Sequence, residues 1–239
     1  MNRYIFSIFI ILSLLGCQKT KPAFEVGNYG VLREIMMENK LDTYIALNDF
    51  EKTEHFYAIG ALKQLTGEIM IMDSQPILSK VSNGEITIKK DFNDDAILII
   101  DSTVNEWEEV NFTDSINDLA NLQSSIKTMA EDQGLDTSKP FPFMLEGGFT
   151  KVNWHIINAA EATEQNHEAY KKAGIEGHSI NEKGRMLGFY SENHEGIFTH
   201  HGSYLHVHFV NDSITVMGHV DQLIITEPIV LSLPKSTKK

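Results

Sequence analysis

The chain predicts an α+β fold of two β-rich lobes, their sheets mixed or antiparallel, with helices packed outside. Three observations carry this. Short apolar or alternating runs gather at residues 55–102 and again at 149–157, 186–190 and 204–217. Apolar residues recur at helical spacing in segments between and before them, and Thr66-Gly67, Asn83-Gly84 and Pro140 punctuate the runs. No internal repeat or low-complexity segment interrupts the pattern.

In chain order, Tyr29, Leu32, Ile35 and Met36 recur at helical spacing and predict an amphipathic helix over residues 26–40. Strands follow at Phe56–Leu62, Glu68–Met72, 86–89 and 96–100, where β-branched and apolar residues alternate or run unbroken. Thr113 or Asp114 caps a second helix whose stripe is Ile116, Leu119, Ala120, Ile126, Met129 and Ala130, ending near Gly134. Residues 140–143 break the pattern. β character returns at 149–157, and a third helix is expected over 161–172, with Lys171 and Lys172 in its last turn and Gly174 as its stop. Residues 186–190 and a terminal hairpin complete the sheets.

That hairpin is the most informative stretch. From Tyr204 to Val210 the residues alternate, and a strand sends every second side chain to one face. His206 and His208 therefore share a face, while Leu205, Val207 and Phe209 point the other way into a core. Asn211-Asp212-Ser213 is turn chemistry, and Ile214 to Met217 reads as the returning strand, followed by Gly218-His219. A hairpin symmetric about Asp212 and Ser213 sets 206 opposite 219 and 208 opposite 217. Opposed residues have Cβ atoms roughly 4.5–5.5 Å apart, so three imidazoles converge. A lone His-x-His is a weak signal; the third ring on the partner strand is what makes it a metal site. Three histidines with one open position is the ligand set of a catalytic zinc, Zn2+, rather than a closed structural one. His200 and His201, between Gly196 and Gly202, stand as alternative or additional ligands.

The ends and the composition bound the rest. A basic start at Arg3, an apolar run over residues 5–15 and Gly16-Cys17 describe a secretory signal, too short to be a membrane span. Leu14-Leu15-Gly16-Cys17 resembles the bacterial lipobox, in which the Cys is acylated after cleavage. Cys17 is the only cysteine and has no disulfide partner. Residues 1–16 thus read as a signal peptide, 17–24 as a lipidated tether and 25–239 as the folded part. The expected location is the cell envelope, periplasmic or outer-membrane, held to the membrane by the lipid on Cys17. A formal net charge of −13 repels phosphate backbones and argues against nucleic acid as a partner. Basic residues cluster only at Lys235, Lys238 and Lys239, a solvated tail. With no other cysteine, a transition metal must be held by His and carboxylate. Asp94-Asp95 and Glu106, Glu108 and Glu109 read as a solvated acidic face, and His167 and His178 as surface groups. No phosphate loop, nucleophile elbow or dinucleotide fingerprint is present.

Several segments, in order, resemble the α-acetolactate decarboxylases. Gly60–Asp73 is similar to that family's early Gly…Gly-Glu…Asp hairpin, Glu146–Val152 to its Gly-x-Phe-x-x-Val stretch and Gly184–Tyr190 to its Gly-x-x-x-Gly-Phe segment. Tyr204–Val220 carries its zinc motif, His-x-His-Phe and then Gly-His-Val. Together these span roughly residues 55–221. The resemblance implies a zinc lyase that converts 2-acetolactate, or a similar small 2-hydroxy-3-oxo acid, to acetoin and carbon dioxide. It implies His206, His208 and His219 as metal ligands and Glu68 as the carboxylate that delivers a proton or orients the bound groups. A second copy of the chain is the candidate protein partner.

The chain also departs from the family pattern. His155 stands where the resemblance implies an Arg that holds the substrate carboxylate, and Ala61 where it implies a Thr. Glu227 is the only carboxylate in the segment where the family returns a further Glu. A guanidinium is a permanent, two-toothed carboxylate receptor and an imidazole is neither. An α-carboxylate therefore needs another cation, for which Arg185 is the candidate. Two other functions follow from these departures: an envelope lipoprotein that keeps fold and metal as a non-catalytic binding protein, and a different zinc-assisted lyase or isomerase with a neutral substrate.

Overall fold

Alternating apolar runs joined by tight turns build two antiparallel sheets, packed face to face. The computed structural model describes residues 24–42 and 44–236. The expected signal peptide, Cys17, most of the expected tether, Lys238 and Lys239 lie outside the described residues.

The first sheet takes β1 (Val26–Tyr29), β2 (Ile45–Ala46), β3 (Phe56–Leu62), β4 (Glu68–Met72), β5 (Gln75–Ser82), β6 (Glu85–Lys89) and β7 (Asp95–Thr103). Its order is β1-β7-β3-β4-β5-β6, with β2 also on β7. Asp73-Ser74 and Asn83-Gly84 have positive φ at both positions, the mirror-image turn geometry whose twist matches that of the strands they join. Along β3 and β4 every residue is buried, because both faces are covered. Ala58, Ile69 and Ile71 pack on one side, while Ile59, Ala61 and Met70 pack on the other, against the second sheet. Strict alternation puts Glu68 on the same side as Met70.

The second sheet takes β8 (Trp107–Phe112), β9 (Phe141–Ile156), β10 (Ile175–Tyr190), β11 (Leu205–Asn211), β12 (Met217–Ile224) and β13 (Ile229–Pro234). Its order is β10-β11-β12-β9-β13-β8, and β10 pairs with β9 as well, so β9, β10, β11 and β12 close into a ring. Leu205, Val207 and Phe209 fill the interior with Phe149, Val152 and Val220. Phe149 meets Phe209 edge to face at 5.7 Å, a favoured aromatic geometry. Outward from the ring, Leu187, Phe189, Val210 and Met217 join Ile59, Met70 and Leu98 of the first sheet in one core. The helices α1 (Leu32–Glu38), α2 (Leu119–Asp132) and α3 (His167–Ala173) lie outside.

The two β-rich lobes and peripheral helices are as the sequence predicts; several boundaries differ. Residues 26–40 are not one helix. Gly30 takes φ +82° and sits so close to Ile97 that a Cβ would stand 2.2 Å from its carbonyl oxygen, so the chain turns there between β1 and α1. Ile116 bridges Ile225 as an isolated strand pair, and α2 starts later, where Asp118 rather than Thr113 or Asp114 accepts from the Asn121 amide at 2.7 Å. Asn166 caps α3 in the same way, which shortens the helix expected over 161–172. β9 runs through Pro142, near its start, where a missing amide is tolerated. β5, β8 and β13 went unrecognised. Among the described residues β8 pairs with β13 alone, and Glu108 and Glu109 are both exposed, on opposite sides of the strand.

Candidate metal centre

On β11, alternation sends His206 and His208 away from the ring interior and toward the first sheet. Phe189 and Leu187 of β10 are their cross-strand partners. On the other side His208 pairs with His219 of β12, and His219 pairs with His155 of β9. Three strands therefore present His208, His219 and His155 in a row on one face.

This register differs from the symmetric hairpin, in which 206 would face 219. The Asn211 side chain accepts from the amides of Thr215 at 2.9 Å and Val216 at 3.1 Å, and Ile214 turns at φ 52°. The loop is longer for that reason, and 208 rather than 206 faces 219. The displacement is two residues, and a period-2 strand keeps its faces under an even shift. Convergence survives. His206, His208 and His219 present ligand atoms that all lie within 4.8 Å of one another, and all three residues are buried.

The donor set fits a divalent ion. His206 Nε2 and His208 Nε2 stand 3.3 Å apart; two nitrogens about 2.0–2.1 Å from one tetrahedral zinc are separated by about that distance. His206 Nδ1 donates to the Phe198 carbonyl at 2.6 Å, which leaves Nε2 as a free lone pair. Burial lowers His206 to about 4 and holds His208 and His219 well below the usual imidazole range. All three are neutral at pH 7, the state a metal requires.

Glu68 arrives from the opposite sheet. Its Oε1 accepts from the Ile157 amide at 3.1 Å, and its Oε2 lies 3.7 Å from His208 Nε2. Burial pushes this carboxyl up to about 7, so both protonation states are populated near neutrality. Ala61 faces Glu68 across β3 and β4. The groups enclose a cavity of about 30 Å³, walled on its apolar side by Leu32, Ile35, Met36, Leu65, Leu98 and Ile157. A second cavity of about 190 Å³ lies beyond His155, His167, His200 and His219, which line both.

His155 donates from Nδ1 to Asp221 Oδ2 at 2.9 Å, and Lys171 holds the other carboxylate oxygen at 3.0 Å. His167 is not a surface group: burial lowers its pKa, and its Nε2 is buried without a hydrogen-bond partner among the described residues. Nothing in its sequence surroundings, the first turn of a short helix, signals this. Asp221 and Lys171 were likewise invisible as site residues, since only the β9–β12 pairing and the return of α3 bring them to His155. His200 joins the cluster, while His201 is fully exposed beside Glu195. Arg185, opposite Val210 and Glu146 on β10, lines neither cavity. Glu227 is exposed between β12 and β13 and also lines neither.

The profile of the family described as alpha-acetolactate decarboxylase matches residues 29–235. Among solved structures, alpha-acetolactate decarboxylase from Bacillus subtilis strain 168 superposes with a TM-score of 0.73 at 16% identity, covering 89% of this chain and 86% of that one. A protein of unknown function similar to alpha-acetolactate decarboxylase, from Staphylococcus aureus, gives 0.66 at 16% identity, covering 87% and 84%. At that identity the likeness concerns the fold. No curated protein sequence matches.

Proposed function

The chain belongs to the alpha-acetolactate decarboxylase family, and from that premise we propose that it is a zinc-dependent carbon–carbon lyase. Its substrate on this reading is 2-acetolactate or a similar small 2-hydroxy-3-oxo acid, and its products are acetoin, or the corresponding hydroxy ketone, and carbon dioxide. One observation carries the reading: three buried imidazoles converge on a point that a buried carboxyl from the other sheet approaches.

His206 and His208 through Nε2, together with His219, would hold the ion. When bound, it supplies a Lewis acid for a substrate bearing a ketone and a hydroxyl on adjacent carbons. The chain's own residues do the rest. The apolar wall of Leu32, Ile35, Leu65 and Leu98 keeps bulk water from the reacting carbon. Glu68, anchored through Oε1 by the Ile157 amide, keeps Oε2 directed at the triad. In its protonated form it gives a proton to the carbon that carbon dioxide leaves, from one side only, which sets the handedness of the product. The carboxylate then recovers its proton from water.

Purified, zinc-loaded protein incubated with racemic acetolactate is expected to release acetoin and carbon dioxide. Zinc bound in full with no turnover above background removes the proposal. One observation favours a second reading, a non-catalytic binding protein or a lyase with a neutral substrate: among the described residues neither Lys nor Arg lines the cavity. We further place the protein in the cell envelope through a lipid on Cys17. Cys17→Ala should move it from the membrane fraction to the soluble fraction.

A further inference from the structure

The triad belongs to a larger cluster of six imidazoles. His155 lies 4.9 Å from His219 and 6.0 Å from His167, centroid to centroid. His167 lies 6.1 Å from His200, and His200 5.0 Å from His219. We propose that His155, His167 and His200 hold a second divalent cation beside the triad, and that its charge receives the substrate carboxylate. The inference rests on reading the triad as a metal centre, and it does not depend on turnover.

Geometry supports it on several counts. First, His155 has the carboxylate–histidine arrangement of a metal ligand: Asp221 takes the Nδ1 proton and leaves Nε2 as a lone pair, as the Phe198 carbonyl does for His206. Second, His167 Nε2 is a buried nitrogen with no partner among the described residues, a loss that a ligand would make good. Third, the rings line a cavity of about 190 Å³, roomy enough for a hydrated ion.

The charge balance points the same way. Among the described residues no Lys or Arg lines either cavity, and Lys171 is committed to Asp221 and Glu176. An anionic substrate has no permanent counter-charge here, and a divalent ion supplies one at the position where the family pattern implies a guanidinium. Rings sharing one tetrahedral ion have centroids about 5 Å apart, as in the triad at 4.8, 5.2 and 5.4 Å. The second set is wider, at 6.0 Å for His155 and His167 and 6.1 Å for His167 and His200, so binding draws His167 and His200 inward. His167 opens the short α3, and His200 sits on the β10–β11 connection; neither is locked in a sheet.

The test is metal stoichiometry. Purified protein is equilibrated with Zn2+ buffered in the micromolar range and assayed for metal per chain, then titrated with Co2+ while the visible spectrum is followed. Two ions per chain are expected, with two distinguishable spectral increments. The double variant His167→Asn/His200→Asn should bind one, and that retained ion shows the variant is folded. A single ion in the native protein overturns the inference, and so does a second ion that persists in the double variant. Two ions without turnover would remove the decarboxylase reading and leave this one standing; one ion with turnover would do the reverse.

Discussion

His208 and His219 face each other directly across β11 and β12, their ring centroids 5.4 Å apart. This pairing turns a two-histidine strand into a three-histidine site. It also sets the next strand, because His219 has His155 as its partner on the far side. His208, His219 and His155 therefore share one row of cross-strand contacts.

Metal removal should destabilise the fold. An ion bound only by the folded chain, present at about a thousand times its Kd, contributes about 4 kcal/mol. For a domain of this size that lowers Tm by about 8–16 °C on chelation. Thermal melts with and without chelator measure it, and His208→Ala should abolish the difference if the triad is the site.

Glu68→Gln should leave metal content unchanged and lower kcat by about a hundredfold or more, the usual contribution of a positioned proton donor. Glutamine keeps the shape and can still meet the Ile157 amide, so the loss would report proton delivery. Turnover near the native rate would remove Glu68 from the chemistry.

Without metal, stability should fall with acid. An imidazole whose folded pKa is lowered contributes stability that is present above its unfolded value of 6.5 and is lost as pH falls toward the folded one. His200 and His206 place that window between about pH 6.5 and 3, and His208 and His219 act in the same direction. Glu68 works oppositely: its carboxyl is raised from 4.5 to about 7, so its contribution is present below 4.5 and lost as pH rises through 7. Histidines outnumber it, so Tm of the metal-free protein should climb from pH 4 to 6.5. The advantage of Glu68→Gln over the native chain should grow from pH 4.5 to 7.

At one equivalent of zinc, His155→Arg combined with Ala61→Thr should lower KM for acetolactate about tenfold, equivalent to about 1.4 kcal/mol. The guanidinium brings a fixed charge and the hydroxyl a donor near the triad. Steady-state kinetics decide it, and an unchanged KM would show that position 155 does not meet the carboxylate.

Legibility followed how local each cause is. β3 and β4 occupy Phe56–Leu62 and Glu68–Met72, the bounds their runs predict, because a strand covered on both faces is apolar along nearly all its length, Glu68 being the buried exception at the start of β4. β13 and the amphipathic, acidic β8 carried no comparable signal; β8 is held by pairing with β13 rather than by its own pattern. The register of the His hairpin escaped because it depends on one side chain, Asn211, capturing two amides beyond the turn. His167 escaped because its burial comes from α3 folding back onto β9 and β12.

Alternation alone decided that His206 and His208 share a face, since a pleated strand has no other way to place residues two apart. Tertiary structure decided what surrounds them. Glu68 is 138 residues before His206 and on the other sheet, and His155 reaches His219 only because β9 and β12 pair. Such contacts arise from long-range strand pairing and face-to-face packing, which leave no periodic trace in the chain. The ligands are therefore a property of the strand, and the chemistry around them a property of the fold.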